Sequence, residues 1–268
     1  MLGIDELYKE LKSSNFLVDI DSRKIRKGSV FFAIKGNNFN GNEFISDALK
    51  NGSRLAISDQ DNPNFNDNHN VIKVSNSLST LQELSKFHRK KCNAKVIGIT
   101  GSNGKTTTKE LIYSVLSSNF KSICTPGNFN NHIGLPLSLF EIRHDTEFAI
   151  IEMGANNFGE IAFLTSLCEP DYGYITNFGK AHLEGFIDIN GVIKAKTELY
   201  EWIIKNDKTL LINGEDKNQK KFDNHKHIMF GCGENFQFNF REKNNDFVNV
   251  LHDNYLFETK LYGTYNYS

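Results

Sequence analysis

The chain has 268 residues, 39% of them hydrophobic, enough for one large domain or two smaller ones with real cores. A formal net charge of −1 excludes the global basic field that would draw nucleic acid or an anionic membrane. Met1-Leu2-Gly3-Ile4-Asp5-Glu6 has no basic stretch and no long apolar run follows, so neither a signal peptide nor a membrane span is expected.

Residues 1 to about 75 read as a first α/β unit. Ile4, Leu7, Tyr8 and Leu11 have helical spacing. Asp21-Ser22-Arg23 precedes a turn at Gly28 and a buried strand from Val30 to Ile34. Gly36 and Gly41 bracket a polar loop. Phe44, Ile45, Ala48 and Leu49 predict a short helix stopped at Gly52. Leu55 to Ser58 and Val71 to Val74 are further strands, joined by the polar connector Asp59 to Asn70. Leu78, Leu81, Leu84, Ser85 and His88 share one face of a helix over Ser77 to Lys91, expected to link two domains.

From Lys95 the pattern alternates strand and helix. Val96 to Thr100 is an apolar strand, Gly101-Ser102-Asn103-Gly104 a turn, and Lys105 onward a helix with Leu111, Val115 and Leu116 on its core face. That order builds a phosphate loop: backbone N–H groups turn inward around an anion at a helix N-terminus. Lys105 is placed to reach β- and γ-phosphates, and the Thr106 hydroxyl to ligate Mg²⁺. A strict GxxxxGK[ST] pattern would need glycine where Ile99 stands, so the loop is a variant. Short strands follow at Ser122 to Cys124, Phe148 to Gly154, Tyr172 to Asn177 and Thr209 to Ile212. Helices are expected from about Pro136 to Glu141, over Ile161 to Leu167 and over Ile193 to Ile204. This βα alternation predicts a parallel sheet covered by helices, with ligands at the carboxyl ends of its strands. Past Ile228 the runs 236–240, 247–250 and 255–259 alternate apolar and polar and read as antiparallel strands with Asn-rich turns.

Glu152 ends an almost wholly apolar strand, so its carboxylate needs a partner; a divalent cation shared with Thr106 is one. His182 lies in a strand-end loop between Gly179 and Gly185. Lys194 and Lys196 share a helix, where lysines usually form a solvated face. Asn128, Asn130 and Asn131 form a polar turn whose amides could hold a phosphate. Cys92, Cys124, Cys168 and Cys232 are scattered without CxxC or zinc-type spacing and read as free thiols of a reducing cytoplasm.

Together these stretches carry a resemblance. Residues Ile99 to Glu110 resemble the ATP loop of the Mur ligases, the ATP-dependent amide-forming enzymes of bacterial peptidoglycan synthesis. The form Ser-Asn-Gly-Lys followed by three Thr and Lys-Glu is most similar to the members that add D-alanyl-D-alanine. Asp21-Ser22-Arg23, Gly28 to Gly36, Gly41 to Phe44, Gly127 to Pro136, Glu152 to Ala155, Asn177 to Phe186, Lys194 to Glu198 and Gly263 to Asn266 agree in colinear order.

The resemblance implies an α/β protein with two domains. Residues 1–90, including the linker helix, would bind the uridine diphosphate substrate through Ser22 and Arg23. Residues 91–268 would form a P-loop-type ATPase domain with a mainly parallel sheet and antiparallel strands near its end. ATP would lie on Gly101, Ser102, Asn103, Gly104, Lys105, Thr106, Thr107 and Asn131, with Asn130 the alternative to Asn131. Thr106 and Glu152 would hold one Mg²⁺, and His182 a second together with Lys196. Lys196 matches the family's carbamylated lysine, which reverses its solvated-face reading, and Lys105, His182 and Lys196 form the implied catalytic set. The implied reaction joins D-alanyl-D-alanine to UDP-N-acetylmuramoyl-tripeptide through an acyl phosphate. The implied protein is a cytoplasmic monomer, with neither nucleic-acid binding nor membrane insertion. Tyr265 stands where the family usually has His, and the chain is expected to end at Ser268 inside the second domain, without the family's third. Two other readings compete: a Mur ligase adding a different amino acid, and an inactive nucleotide-binding module.

Overall fold

The computed structural model describes residues 2–61, 68–179, 186–232, 236–242, 247–252 and 255–262. In chain order the first elements are α1 (Ile4–Ser13), β1 (Val18–Asp19), β2 (Val30–Phe32), α2 (Ile45–Lys50), β3 (Leu55–Ser58), β4 (Val71–Lys73) and α3 (Ser77–Lys91). There follow β5 (Lys95–Thr100), α4 (Lys105–Leu116), β6 (Ser122–Cys124), α5 (Gly134–Phe140), β7 (Phe148–Glu152), α6 (Glu160–Cys168) and β8 (Tyr172–Ile175). The last described elements are α7 (Ile189–Lys205), β9 (Thr209–Asn213), β10 (His227–Cys232), β11 (Phe238–Glu242), β12 (Phe247–His252) and β13 (Tyr255–Tyr262). They gather into two compact units, one of Met1–Asn93 with His132–Asp145, the other of Ala94–Asn131 with Thr146–Ser268.

The first unit is a four-stranded parallel sheet in the order β1-β2-β3-β4. Alternation along its strands sends Val30, Phe32, Leu55 and Ile57 to one face and Phe31, Ala33 and Ala56 to the other. The first face packs on Leu7 and Leu11 of α1, Leu81 and Leu84 of α3 and Phe140 of α5. The second packs on Ile45 and Ala48 of α2. The segment carrying α5 comes from far along the chain, yet Phe140 is only 1% exposed in this core.

His88 secures that segment. Its Nε2 lies 2.9 Å from the Ile142 carbonyl and its Nδ1 lies 3.0 Å from the Tyr8 hydroxyl. A carbonyl only accepts, so Nε2 carries the proton and Nδ1 accepts from Tyr8. Burial lowers the pKa of His88; the Arg143 charge lowers it further, and the bond to Ile142 opposes both.

The second unit is a nine-stranded sheet in the order β13-β12-β11-β10-β9-β8-β5-β7-β6. From β6 through to β11 every pairing is parallel. Only the β11–β12 and β12–β13 pairs are antiparallel. The runs 236–240, 247–250 and 255–259 thus pair antiparallel with one another as expected, while β11 also joins β10 in parallel. Alternation sets which face a side chain takes, not the direction of the neighbouring strand. Helix α7 begins at Ile189, before the expected Ile193, because the Asp188 carboxylate accepts from the Gly191 N–H at 2.8 Å and caps it. Ala195, Leu199, Tyr200 and Ile203 are on its buried face, and Trp202 is half-buried.

His88 generates a pH prediction. A histidine held neutral by burial contributes stability above the unfolded-state pKa of about 6.5, and that stability is lost as pH falls through that value towards the folded-state one. The chain should therefore lose unfolding free energy between pH 7.5 and 5, and His88→Gln should flatten that slope. Equal slopes for both proteins in denaturant titrations would contradict the assignment.

Candidate active site

Strand β5 lies between β7 and β8, and the chain leaves it for β6 on one side and later reaches β8 on the other. Such a switch in strand order opens a crevice at the carboxyl ends. The loop Gly101–Gly104, Glu152 at the end of β7 and Thr176–Asn177 after β8 all stand there.

Backbone geometry demands glycine in the loop. Gly101 has φ +144°, and a Cβ there would stand 2.0 Å from the Thr176 hydroxyl oxygen. Gly104 has φ +77° and begins α4 in the left-handed region. Loops from β8 brace the turn: Thr176 donates its hydroxyl to the Asn103 carbonyl at 2.6 Å, and Asn177 exchanges two bonds with the Asn103 backbone. The Ser102 hydroxyl donates to the Gly179 carbonyl at 2.9 Å. Lys105 curls over the turn, with Nζ 2.7 Å from the Gly101 carbonyl and 3.1 Å from that of Ser102. Burial lowers its pKa, while the charge of Glu152 pulls it back up.

Glu152 is 1% exposed and fully partnered. Its Oε2 accepts from the Thr106 hydroxyl at 3.0 Å and its Oε1 from the Asn130 amide at 2.8 Å. Its backbone N–H donates to the Thr125 hydroxyl at 2.9 Å. Gly154 lets Asn130 come so near, since a Cβ there would meet the Asn130 side chain at 3.1 Å. Lys109, also buried, donates to the Thr125 carbonyl at 2.7 Å and stands 3.8 Å from Glu152 Oε2.

Lys196 is 1% exposed on α7, its Nζ 5.7 Å from the centroid of the Phe186 ring. Burial first, then the charge of Lys105, lowers its pKa to about 8, against the opposing pull of Glu160 and Glu198. Glu198 ties α7 to α6, accepting from the Gly159 N–H at 2.7 Å and the Ala162 N–H at 2.9 Å. A carboxylate at a helix N-terminus is well placed electrostatically, and it fixes the helix that presents Lys196.

The first unit carries a cavity of about 620 Å³, lined in part by Ser22, Arg23, Phe39 and Phe44. Phe39 and Phe44 stack with centroids 5.2 Å apart and rings inclined by 11°. Ser22 is buried, whereas the Arg23 side chain is 84% exposed and bidentate on Asp21 at 2.8 and 2.9 Å. Those bonds from Arg23 hold the Asp21 carboxyl down at about 2.

Of the expected site residues, the structure brings together Gly101 to Thr106 and Glu152; Thr107 and Asn131 are exposed, as are Asn103, Gly104 and Thr106. The amide on Glu152 belongs to Asn130. His182 and Tyr265 lie outside the described residues. Sequence reasoning missed Lys109, Thr125, Thr176 and the Phe39–Phe44 pair. Lys109 alone had a local signal, one helical turn past Lys105 on the same face.

The Mur ligase middle domain family matches residues 99–268, and the Mur ligase family catalytic domain matches residues 17–89. The chain belongs to the Mur ligase family. It is similar to the UDP-N-acetylmuramoyl-tripeptide–D-alanyl-D-alanine ligase of Bacillus subtilis, 40% identical over 199 residues that cover 74% of this chain and 43% of the relative. The Escherichia coli enzyme of the same name is 35% identical, with 75% and 45% covered. The chain thus spans about half the length of these curated relatives. Among solved structures, MurF from Acinetobacter baumannii superposes with TM-score 0.83 at 27% identity, over 97% of this chain and 61% of that one. MurF ligase from Thermotoga maritima in complex with ADP gives TM-score 0.78 at 30% identity, over 92% and 58%. The α/β architecture expected from the sequence is that of these structures.

Proposed function

We propose that this chain carries the substrate- and ATP-binding units of an ATP-dependent ligase that joins D-alanyl-D-alanine to UDP-N-acetylmuramoyl-tripeptide in peptidoglycan precursor synthesis. The observation that carries the reading is the bond from Thr106 to the buried carboxylate of Glu152 beside a braced phosphate loop. A cytoplasmic monomer is the matching state, in which the cysteines remain free thiols.

Thr106 and Glu152 offer hard oxygen donors of the kind Mg²⁺ prefers. Among the described residues no cluster of three His, Cys, Asp or Glu could hold a metal alone. Phosphate oxygens and water would complete the shell, with His182 and a carbamylated Lys196 for a second ion. Bound Mg²⁺ supplies stabilisation of the charge that develops on the transferring phosphoryl group. The chain's own residues hold and orient: loop amides and Lys105 bind the β- and γ-phosphates, and Asn130 steers Glu152. The tripeptide carboxylate takes the γ-phosphoryl group as ADP leaves. The dipeptide amine then attacks the acyl carbon and phosphate departs.

Residues 1–90 serve as the uridine-nucleotide domain and residues 91–268 as the ATP domain. The Phe39–Phe44 pair offers a flat apolar wall for a base, and Ser22 and Arg23 offer polar partners for phosphate or sugar. Lys196, buried and with a lowered pKa, is suited to carbamylation: the neutral amine adds to CO₂ and releases a proton, replacing a cation with a two-oxygen anion.

Three measurements test this reading. Lys105→Ala should weaken ATP·Mg²⁺ binding to this chain by ~1.5–3 kcal/mol in calorimetry; an unchanged affinity would sink the assignment of the loop. Titrating the ¹⁵N-labelled chain with UDP-N-acetylmuramoyl-tripeptide should shift amides near Ser22, Phe39 and Phe44; shifts confined to Gly101–Thr106 would reject the uridine site. A full-length Lys196→Ala ligase should lose turnover but keep ATP binding, and short carboxylic acids should partly restore it. Full activity of that variant in CO₂-depleted buffer would refute the carbamate.

A further inference from the structure

Lys109 is a fully buried cation that the reaction as described does not use. Its side chain is 0% exposed, and an ammonium so placed needs acceptors around it. Nζ donates to the Thr125 carbonyl at 2.7 Å and lies 3.5 Å from the Gly127 carbonyl. Two carboxylates complete its surroundings, Glu110 at 3.1 Å and Glu152 at 3.8 Å.

The two acids are not equivalent. The Glu110 side chain is 55% exposed, so water screens it and the pair is worth little. The Glu152 side chain is 2% exposed and cannot be relieved that way. Its bonds from Thr106 and Asn130 are neutral dipoles without positive charge. The charge of Lys105 also acts on Glu152, but its ammonium is bonded to carbonyls of the phosphate loop. Lys109 is also linked to Glu152 through the chain. The carbonyls it binds open the loop that ends at Asn130, and Asn130 bonds Glu152.

We infer that Lys109 is the resident counter-ion and positioning residue of Glu152, balancing the buried carboxylate when no divalent cation is present and fixing the loop that delivers Asn130. A cation bound by Glu152 then takes over part of that balance. This second step rests on the metal reading proposed above; the ion pair itself does not.

The test is thermal unfolding of the 268-residue chain, first in EDTA. Lys109→Met keeps an unbranched apolar stem and deletes the charge. It should lower the midpoint by on the order of 10 °C, as expected for one buried charge left unpaired. Adding Glu152→Gln to it should recover at least about half of that loss, since the stranded charge is gone. Glu110→Gln should shift the midpoint by less than about 2 °C. Additive losses in the Lys109→Met/Glu152→Gln chain, or a Glu110→Gln loss as large as that of Lys109→Met, would overturn the inference. If Lys109→Met yields no folded protein, folding of the double variant supports the pairing and failure to fold refutes it. With Mn²⁺ as probe, Lys109→Met should gain a larger upward shift than the parent, whereas a packing role alone gives equal shifts. Coupling in EDTA with no Mn²⁺ shift in either protein would leave the ion pair standing and overturn the metal assignment of Glu152.

Discussion

A carboxylate at the end of an apolar strand cannot be left to itself, and the second unit is arranged around that constraint. Glu152 sits where β7 leaves the sheet, out of reach of water. The interior offers it a hydroxyl from α4, an amide from the loop after β6 and an ammonium from the next turn of α4. Each partner costs conformational freedom, and each is held by a further bond. Thr125 links two of these segments, since its carbonyl takes Lys109 and its hydroxyl takes the Glu152 N–H. A network that is satisfied at every member is rigid, and rigidity is what positioning chemistry needs.

The phosphate loop follows the same logic with opposite charge. Gly101 and Gly104 adopt backbone angles that favour glycine, and the N–H groups of Ser102 and Asn103 between them donate to Asn177. The loop's carbonyls are taken by Lys105, Thr176 and Asn177. The turn is thereby fixed by internal hydrogen bonds on both its N–H and its carbonyl groups.

The first unit solves a different problem. A small four-stranded parallel sheet must cover both faces. One face is closed locally by α2, and the other draws on α1, α3 and Phe140 of α5. His88 uses both ring nitrogens to hold that arrangement, and burial favours its neutral form.

What the sequence by itself determined were the local features. The strand–turn–helix order from Lys95, the glycines at 101 and 104, the acid closing β7 and the extent of α3 depend on neighbours a few positions apart, and those are legible in order. The motif resemblance extended this to the family. Tertiary structure alone decided that Asn130 meets Glu152, because the bond joins residues 22 positions apart and needs Gly154 to make room. The same holds for the burial of Lys109, for the parallel entry of β11 and for the cavity walled by Phe39 and Phe44. It holds too for residues 132–145, whose apolar side chains complete a core formed mainly by the first part of the chain. Spacing tells which face of an element is apolar; only packing says which distant element that face meets.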